Sequence, residues 1–315
     1  MELADEEHWR YNGHGKGGLM SKGLSKASRL RKLIKDNTIV APGVFNAITA
    51  MIVERLGFEA VYISGAGLAN ARGLPDLGLL SMSEVAEQSS MIANSVSIPA
   101  IADVDTGFGE VLNVMRTVQQ FERTGIAAVH IEDQIMPKKC GHLPDKELVP
   151  AENMVRKIEA AIEARQNPDF IIIARTDARA VEGLNGAIER AQMYAKAGAD
   201  FIFPEALESK TEFNRFAKAV KVPLMANMTE FGKTPYISAN EFEEMGYSVV
   251  IFPMTAFRTM TKAVEDVLRE LKESGTQKKL LPRMHAREQI YDIINYAEYE
   301  EIDRRLGRFR GQRNR

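Results

Sequence analysis

A chain of 315 residues, 45% of them hydrophobic, has material for one large core or two small ones, and length alone favours neither. Its formal net charge of -2 leaves no electrostatic footprint for nucleic acid or an anionic membrane surface, so the expected partner is a small molecule. One cysteine excludes an intrachain disulfide framework, no apolar run approaches the roughly 18 residues of a membrane span, and the polar N-terminus does not read as a secretory signal; a cytoplasmic location is expected.

Residues 1–27 are polar and glycine-rich, with no helical or strand period, and read as a mobile tail. From Ser28 onward short apolar runs alternate with amphipathic stretches. The runs are Ile39 to Val44, Ala60 to Ser64, Ile98 to Asp103, Ala127 to Glu132, Phe170 to Arg175, Asp200 to Glu205, Val222 to Asn227 and Ser248 to Phe252. The helical patterns between and after them run from Ala47, Ser83, Leu112, Ala151, Leu184, Lys210, Ser238 and Ala256, several of them stopping at a glycine such as Gly57, Gly125, Gly198 or Gly246. Eight strands alternating with eight helices predict an α/β fold, a (β/α)8 barrel over residues 28–306. A doubly wound sheet alternates in the same way, but no Gly-x-Gly-x-x-Gly follows the first strand. The stretch from Arg283 to Leu306 carries more apolar and aromatic positions than a barrel's outer face needs, and a neighbouring subunit is the expected place to bury them. Residues 307–315 form a basic tail.

A barrel concentrates chemistry at the C-terminal ends of its strands. Standing there are Tyr62 and Ser64, Asp103 and Asp105, Glu132, Arg175 and Asp177, Glu205, and Asn227 with Thr229. Asp103 and Asp105 are two apart at a strand exit, so the pleat turns both to one side. With Glu132 they make a hard oxygen set suited to Mg²⁺. Arg175, Arg258 and Arg287, with Asn227, Thr229 and the Ser64-Gly65-Ala66 backbone, are the candidate clamps for a polyanionic acid, since a guanidinium fork binds carboxylates bidentately. A Schiff-base mechanism would want a lysine at a strand end, and none carries one. The loop after the fourth strand holds Lys138, Lys139, Cys140 and His142. Cationic neighbours favour thiolate, so Cys140 is expected to exchange a proton near neutral pH.

Lys138-Lys139-Cys140-Gly141-His142, Asp103-Val104-Asp105 and Gly73-Leu74-Pro75-Asp76 resemble the isocitrate lyase and phosphoenolpyruvate mutase superfamily. Ala174 to Ala178, Phe203 to Ala206, Asn227 to Gly232 and Ser274 to Gln277 follow in the family's order, so the resemblance spans residues 28 to 306. It implies a barrel whose C-terminal helix region is swapped between neighbours, giving a homotetramer built as a dimer of dimers. It implies Mg²⁺ or Mn²⁺ at Asp103 and Asp105, and retro-aldol cleavage of a branched tricarboxylate to an oxo acid and succinate. Cys140 would protonate the product carbanion, with His142 in the same catalytic segment and Arg175 stabilising the enediolate. Asp76, Tyr62 and Glu132 are the candidate bases. Ser64, Gly65, Ala66, Cys140, Gly141, Arg175, Glu205, Asn227, Met228, Thr229, Arg258 and Arg287 would touch substrate, beneath a lid from Gln134 to Asp145. Cleavage of isocitrate, dimethylmalate or oxaloacetate, a carboxyphosphonoenolpyruvate mutase reaction, and a barrel that binds without turnover are the alternatives.

Overall fold

The computed structural model describes residues 24–307; the expected tails over residues 1–23 and 308–315 lie outside them. The elements run α1 (Lys26–Asp36), β1 (Ile39–Val44), α2 (Ala47–Arg55), β2 (Val61–Ile63), α3 (Gly65–Ala71), α4 (Met82–Asn94), β3 (Ala100–Asp103), α5 (Val111–Arg123), β4 (Ala128–Glu132), α6 (Ala151–Ala164) and β5 (Ile171–Thr176). They continue α7 (Arg179–Lys196), β6 (Phe201–Pro204), α8 (Lys210–Ala219), β7 (Met225–Asn227), α9 (Ala239–Glu244), β8 (Val249–Phe252), α10 (Thr255–Ser274), a 3-10 turn (Lys278–Arg283), α11 (Arg287–Ile293) and α12 (Tyr296–Gly307).

All eight expected strands are present, all parallel, in the order β6-β5-β4-β3-β2-β1-β8-β7. A parallel bridge from Ile202 to Leu224 joins the two ends and closes a (β/α)8 barrel. Each strand sorts its side chains by parity. In β5, Ile172 and Ala174 pack outward in the large strand–helix core, while Ile171 and Ile173 point into the lumen with Tyr62, Ile101, Phe201, Phe203, Met225 and Ile251. The next lumen-facing position on β5 is Arg175, so the alternation that fills the barrel also lifts a cation to its mouth.

Two α-helices went unread in the sequence, α1 and the short α3. α1, capped by Ser25, lays Ala27 and Leu30 against the lumen cluster, and Arg31 holds Asp200 at 2.7 Å. Lys26 and Ala27 therefore belong to the barrel unit rather than to the tail. The C-terminal stretch is broken in two, because Asn295 takes a left-handed conformation at φ 54° between α11 and α12. Ile293 is buried within this chain and Arg55 of α2 pairs with Asp292 of α11, while Met284, Tyr291 and Tyr299 stay exposed. α12 buries nothing. Among the described residues no helix is long and apolar enough to cross a membrane.

Gly43 faces the lumen where β1 meets the loop after β8. A Cβ there would fall inside the Pro253 backbone, which has no flexible end to give way. Gly43→Ala is expected to destabilise the barrel by about 3 kcal/mol; urea unfolding that shifts by less than a third of this would show that Pro253 yields.

Candidate active site

Residues from the C-terminal ends of β2, β3, β5, β6, β7 and β8 converge on one cavity of about 170 Å³. Of the residues singled out in the sequence, Tyr62, Ser64, Ala66, Asp76, Asp103, Cys140, Gly141, His142, Arg175, Glu205, Asn227, Thr229 and Arg258 line it. Gly65 stands just behind the wall, where a Cβ would come within 2.8 Å of Asp103 Oδ2. Met228 does not line the cavity; its side chain packs in the core beneath it, where its sulfur accepts the Ile237 N–H at 3.4 Å. Arg287 is not brought to it either: it is exposed on α11, on the outside of the barrel.

The two aspartates meet by a turn, not by the pleat. β3 ends at Asp103, and Asp105 lies beyond it at φ 47°, its N–H donating to Asp103 Oδ1 at 3.0 Å. Both oxygens of Glu132 are buried without a hydrogen bond, Arg175 Nη1 lying 3.2 Å away, while Asp105 Oδ1 is buried with the Lys138 ammonium, at 2.8 Å, beside it. Burial pushes the Asp105 carboxyl up to about 6 and holds Glu132 well above the usual carboxylate range, against the pull of Lys138 and Arg175. Buried carboxylate oxygens so short of donors fit a hard divalent cation. Among the described residues no three His, Cys, Asp or Glu side chains are grouped so as to hold a metal ion, so the expected set of Asp103, Asp105 and Glu132 is not assembled, and a cation here would rest on one or two carboxylates with water and substrate oxygens.

Without a cation at Asp103, Tyr62 holds its proton in this setting. Its hydroxyl lies 2.7 Å from His130 Nε2 and 3.5 Å from Asp103 Oδ2, and burial and Asp103 raise its pKa well above the ordinary phenol value. His130, which went unnoticed in the sequence, stacks on Tyr62 and meets Phe203 edge-on, flooring the cavity with rings. Burial lowers its pKa to about 4, so the imidazole is neutral. Its lumen parity, two residues before Glu132 on β4, was the available signal.

Arg175 is fixed on three sides. Its Nε and Nη2 donate to Asp177 at 3.0 and 3.2 Å, its Nη1 faces Glu132, and its Cζ lies 5.3 Å over the Phe203 ring. Glu205 accepts from Asn227 Nδ2 at 3.2 Å and faces His142 Nε2 at 3.1 Å. Burial works against its charge, but Arg175 and His142 prevail and hold its carboxyl below the usual carboxylate range. His142 Nδ1 accepts the Lys233 N–H at 3.0 Å, so the neutral ring carries its proton on Nε2, toward Glu205.

The segment after β4 closes over this layer. Gln134 brackets it by pairing both ways with the Lys139 backbone at 2.9 Å, and Ile135 N–H bonds the Glu147 carbonyl at 2.8 Å. Gly141 lies so near Glu205 and Arg175 that a Cβ would collide with both. The cations that neighbour Cys140 in sequence are engaged elsewhere in the fold. Lys138 turns away to Asp76 and Asp105, and Lys139 Nζ donates to the Asp145 carbonyl. Burial then dominates and pushes the Cys140 thiol up, with Glu205 and Asp76 adding to it against the His142 N–H. A half-buried thiol that keeps its proton is a donor, not a nucleophile. Lys138 is no Schiff-base amine: burial alone would lower its pKa, but Asp105, Glu132 and Asp76 hold it well above the ordinary lysine value.

Residues 30–272 match the phosphoenolpyruvate phosphomutase family. The chain belongs to that family. It is 56% identical to a 2-methylisocitrate lyase of Aeropyrum pernix, over 89% of this chain and 90% of the relative, and 47% identical to one of Bacillus subtilis, over 90% and 93%. Its fold is similar to a 2,3-dimethylmalate lyase crystal structure (TM-score 0.85, 36% identity, 90% of this chain and 96% of the other). It is also similar to a phosphonopyruvate hydrolase in complex with oxalate and Mg²⁺ (TM-score 0.82, 31% identity, 90% and 99%). This family member is a carbon–carbon lyase.

Proposed function

We propose that the protein cleaves 2-methylisocitrate to pyruvate and succinate, the carbon–carbon lyase step of the methylcitrate cycle of propionate breakdown in the cytoplasm. One observation carries the reading: the thiol of Cys140 shares a cavity with Asp103 on one wall and the clamped guanidinium of Arg175 on another. Asp103 and Asp105 would hold the divalent cation, Mg²⁺ or Mn²⁺. When bound, it supplies Lewis-acid polarisation of the substrate hydroxyl and the carboxylate beside it.

Of the three candidate bases, Asp76 lines the cavity, Glu132 does not, and Tyr62 keeps its proton. Asp76 therefore takes the hydroxyl proton. As the oxygen becomes the pyruvate carbonyl, the bonding pair of the broken C–C bond passes to the carbon next to a carboxylate and delocalises into it. Arg175 faces that developing charge with its geometry already set by Asp177, so no reorganisation is needed at the moment of cleavage. Cys140 then gives its proton to the carbon, and succinate results. The closed lid keeps water from competing as proton source.

The test is a side-by-side assay of 2-methylisocitrate, isocitrate, 2,3-dimethylmalate and oxaloacetate, reading pyruvate against glyoxylate. Equal pyruvate and succinate from 2-methylisocitrate, at a kcat/KM above the other three, is the expected result. A preference for dimethylmalate or oxaloacetate would move the protein to the chemistry of its structural relatives.

Assembly follows from α10, the eighth barrel helix. It starts on the barrel through Phe257, edge-on to Phe45 at 5.1 Å, yet buries no residue along its length. Met260, Val264, Leu268 and Leu271 form one exposed stripe along it. Exchange of this helix between neighbours, in a homotetramer, would cover the stripe. Light scattering is expected to give four subunits for the native chain and a smaller species for Leu268→Glu; an unchanged tetramer in that variant would mean α10 is covered in some other way.

A further inference from the structure

We propose that Lys146 is a positioning residue, a buried latch that ties closure of the lid to the orientation of Arg175. The inference deepens the lyase reading and rests on it. Lys146 stands on the return arm of the lid, and its side chain is completely buried. Its ammonium donates to the Gly141 carbonyl and, at 2.8 Å, to Asp177 Oδ1. Asp177 is equally buried, and it is the carboxylate that grips Arg175 through Nε and Nη2. One cation thus joins two objects that must come together for turnover. One is the backbone next to the acid Cys140; the other is the anchor of the guanidinium facing the developing carbanion.

The contact has a direction. When the lid is down, Gly141 abuts Glu205 and the Arg175 guanidinium, with no room for even a methyl group between them. Lys146 draws that backbone inward by its carbonyl while supplying the second positive charge on Asp177. An open lid that withdraws the ammonium leaves Asp177 with Arg175 alone, and both the seat of Gly141 and the shared carboxylate oxygen lose a partner. A buried carboxylate that loses one of two cations is strongly disfavoured. Closure and guanidinium alignment are therefore favoured together. Lys138, the other buried lid lysine, ties the lid to Asp76 and Asp105 instead and makes no such link.

Lys146→Met keeps the methylenes and removes the donor; Lys146→Arg keeps a charge and donors. The holoenzyme and both variants are compared by steady-state kinetics and by amide hydrogen exchange of residues 134–147 against the barrel strands. The methionine variant is expected to lose about a hundredfold in kcat with KM within about threefold, and to exchange its lid amides about tenfold faster while the strands stay protected. The arginine variant should recover about a tenth or more of the lost kcat and most of the lid protection. Unchanged lid exchange in Lys146→Met, or faster exchange spread evenly over the strands, would overturn the latch. If Lys146→Met does not fold, Lys146→Gln, which retains a donor for the Gly141 carbonyl without the charge, is judged by the same two readouts. Should the native enzyme turn over none of the tested acids, the lyase reading falls, while the exchange comparison still decides the latch.

Discussion

Cys140→Ser is expected to lower kcat for 2-methylisocitrate cleavage about a thousandfold, with the fold and the affinity for Mg²⁺ unchanged. The sulfur lies half-buried in the cavity wall, and no ion pair holds it. Its pKa is raised by burial, so at neutral pH it is already in the state a general acid needs, and a serine hydroxyl in the same place is too weak an acid to replace it. The sign of the pH dependence follows. A step that requires the protonated thiol is intact below the thiol's pKa and is lost as pH rises through it, so native activity should fall on an alkaline limb above the ordinary thiol range. That limb should be absent from the residual activity of the serine variant. Pyruvate release measured from pH 6 to 11, with cation binding by calorimetry as the control, checks both. Residual turnover within tenfold of native would remove the thiol from the proton-transfer step.

The cysteine also shows where the sequence stops being informative. That the loop after β4 carries the acid was legible, because an apolar run ending in Glu132 marks a strand exit and a barrel puts its chemistry there. The protonation state was not. It depends on where Lys138 and Lys139 point, and their partners are Asp76, in the loop between α3 and α4, Asp105 from the turn after β3, and the Asp145 carbonyl. Proximity in sequence counted the cations but could not show that other groups had claimed them. Arg175 is the opposite case. Strand parity alone sends it to the lumen with Ile171 and Ile173, and register sets it level with Glu132 and Phe203. Arg287 was beyond reach for a third reason: no period relates a helix after the barrel to the barrel's mouth. Lys146 gave no signal at all, since a lysine in a polar loop reads as solvated until the fold buries it.

Asp103→Asn should cost about a thousandfold in turnover together with most of the divalent-cation affinity, and it separates the charge of this residue from its place in the structure. Asparagine keeps the length and an oxygen to accept the Asp105 N–H, now 3.0 Å from Oδ1, so the turn that presents Asp105 survives. The small side of the site survives too, because Gly65 leaves just enough room for a planar group at Asp103. What goes is a buried carboxylate on the β3 side of the mouth that stays charged without a metal, as Glu205 does on the opposite side. Burial works against the Asp103 charge, but His130, Lys138 and Arg175 more than offset that and hold its pKa below the usual carboxylate value. Burial pushes Asp105 and Glu132 the other way, so each is a weaker anion than Asp103 in the metal-free site. Titration of the metal-stripped protein with Mn²⁺, followed by electron paramagnetic resonance, should show near-native binding for the wild type and none at millimolar cation for Asp103→Asn, with thermal midpoints within a few degrees of each other. Tight Mn²⁺ binding that persists in the variant would move the cation elsewhere in the barrel. Loss of turnover with binding intact would instead make Asp103 an orienting partner of Tyr62 and His130, the two groups already in contact with it.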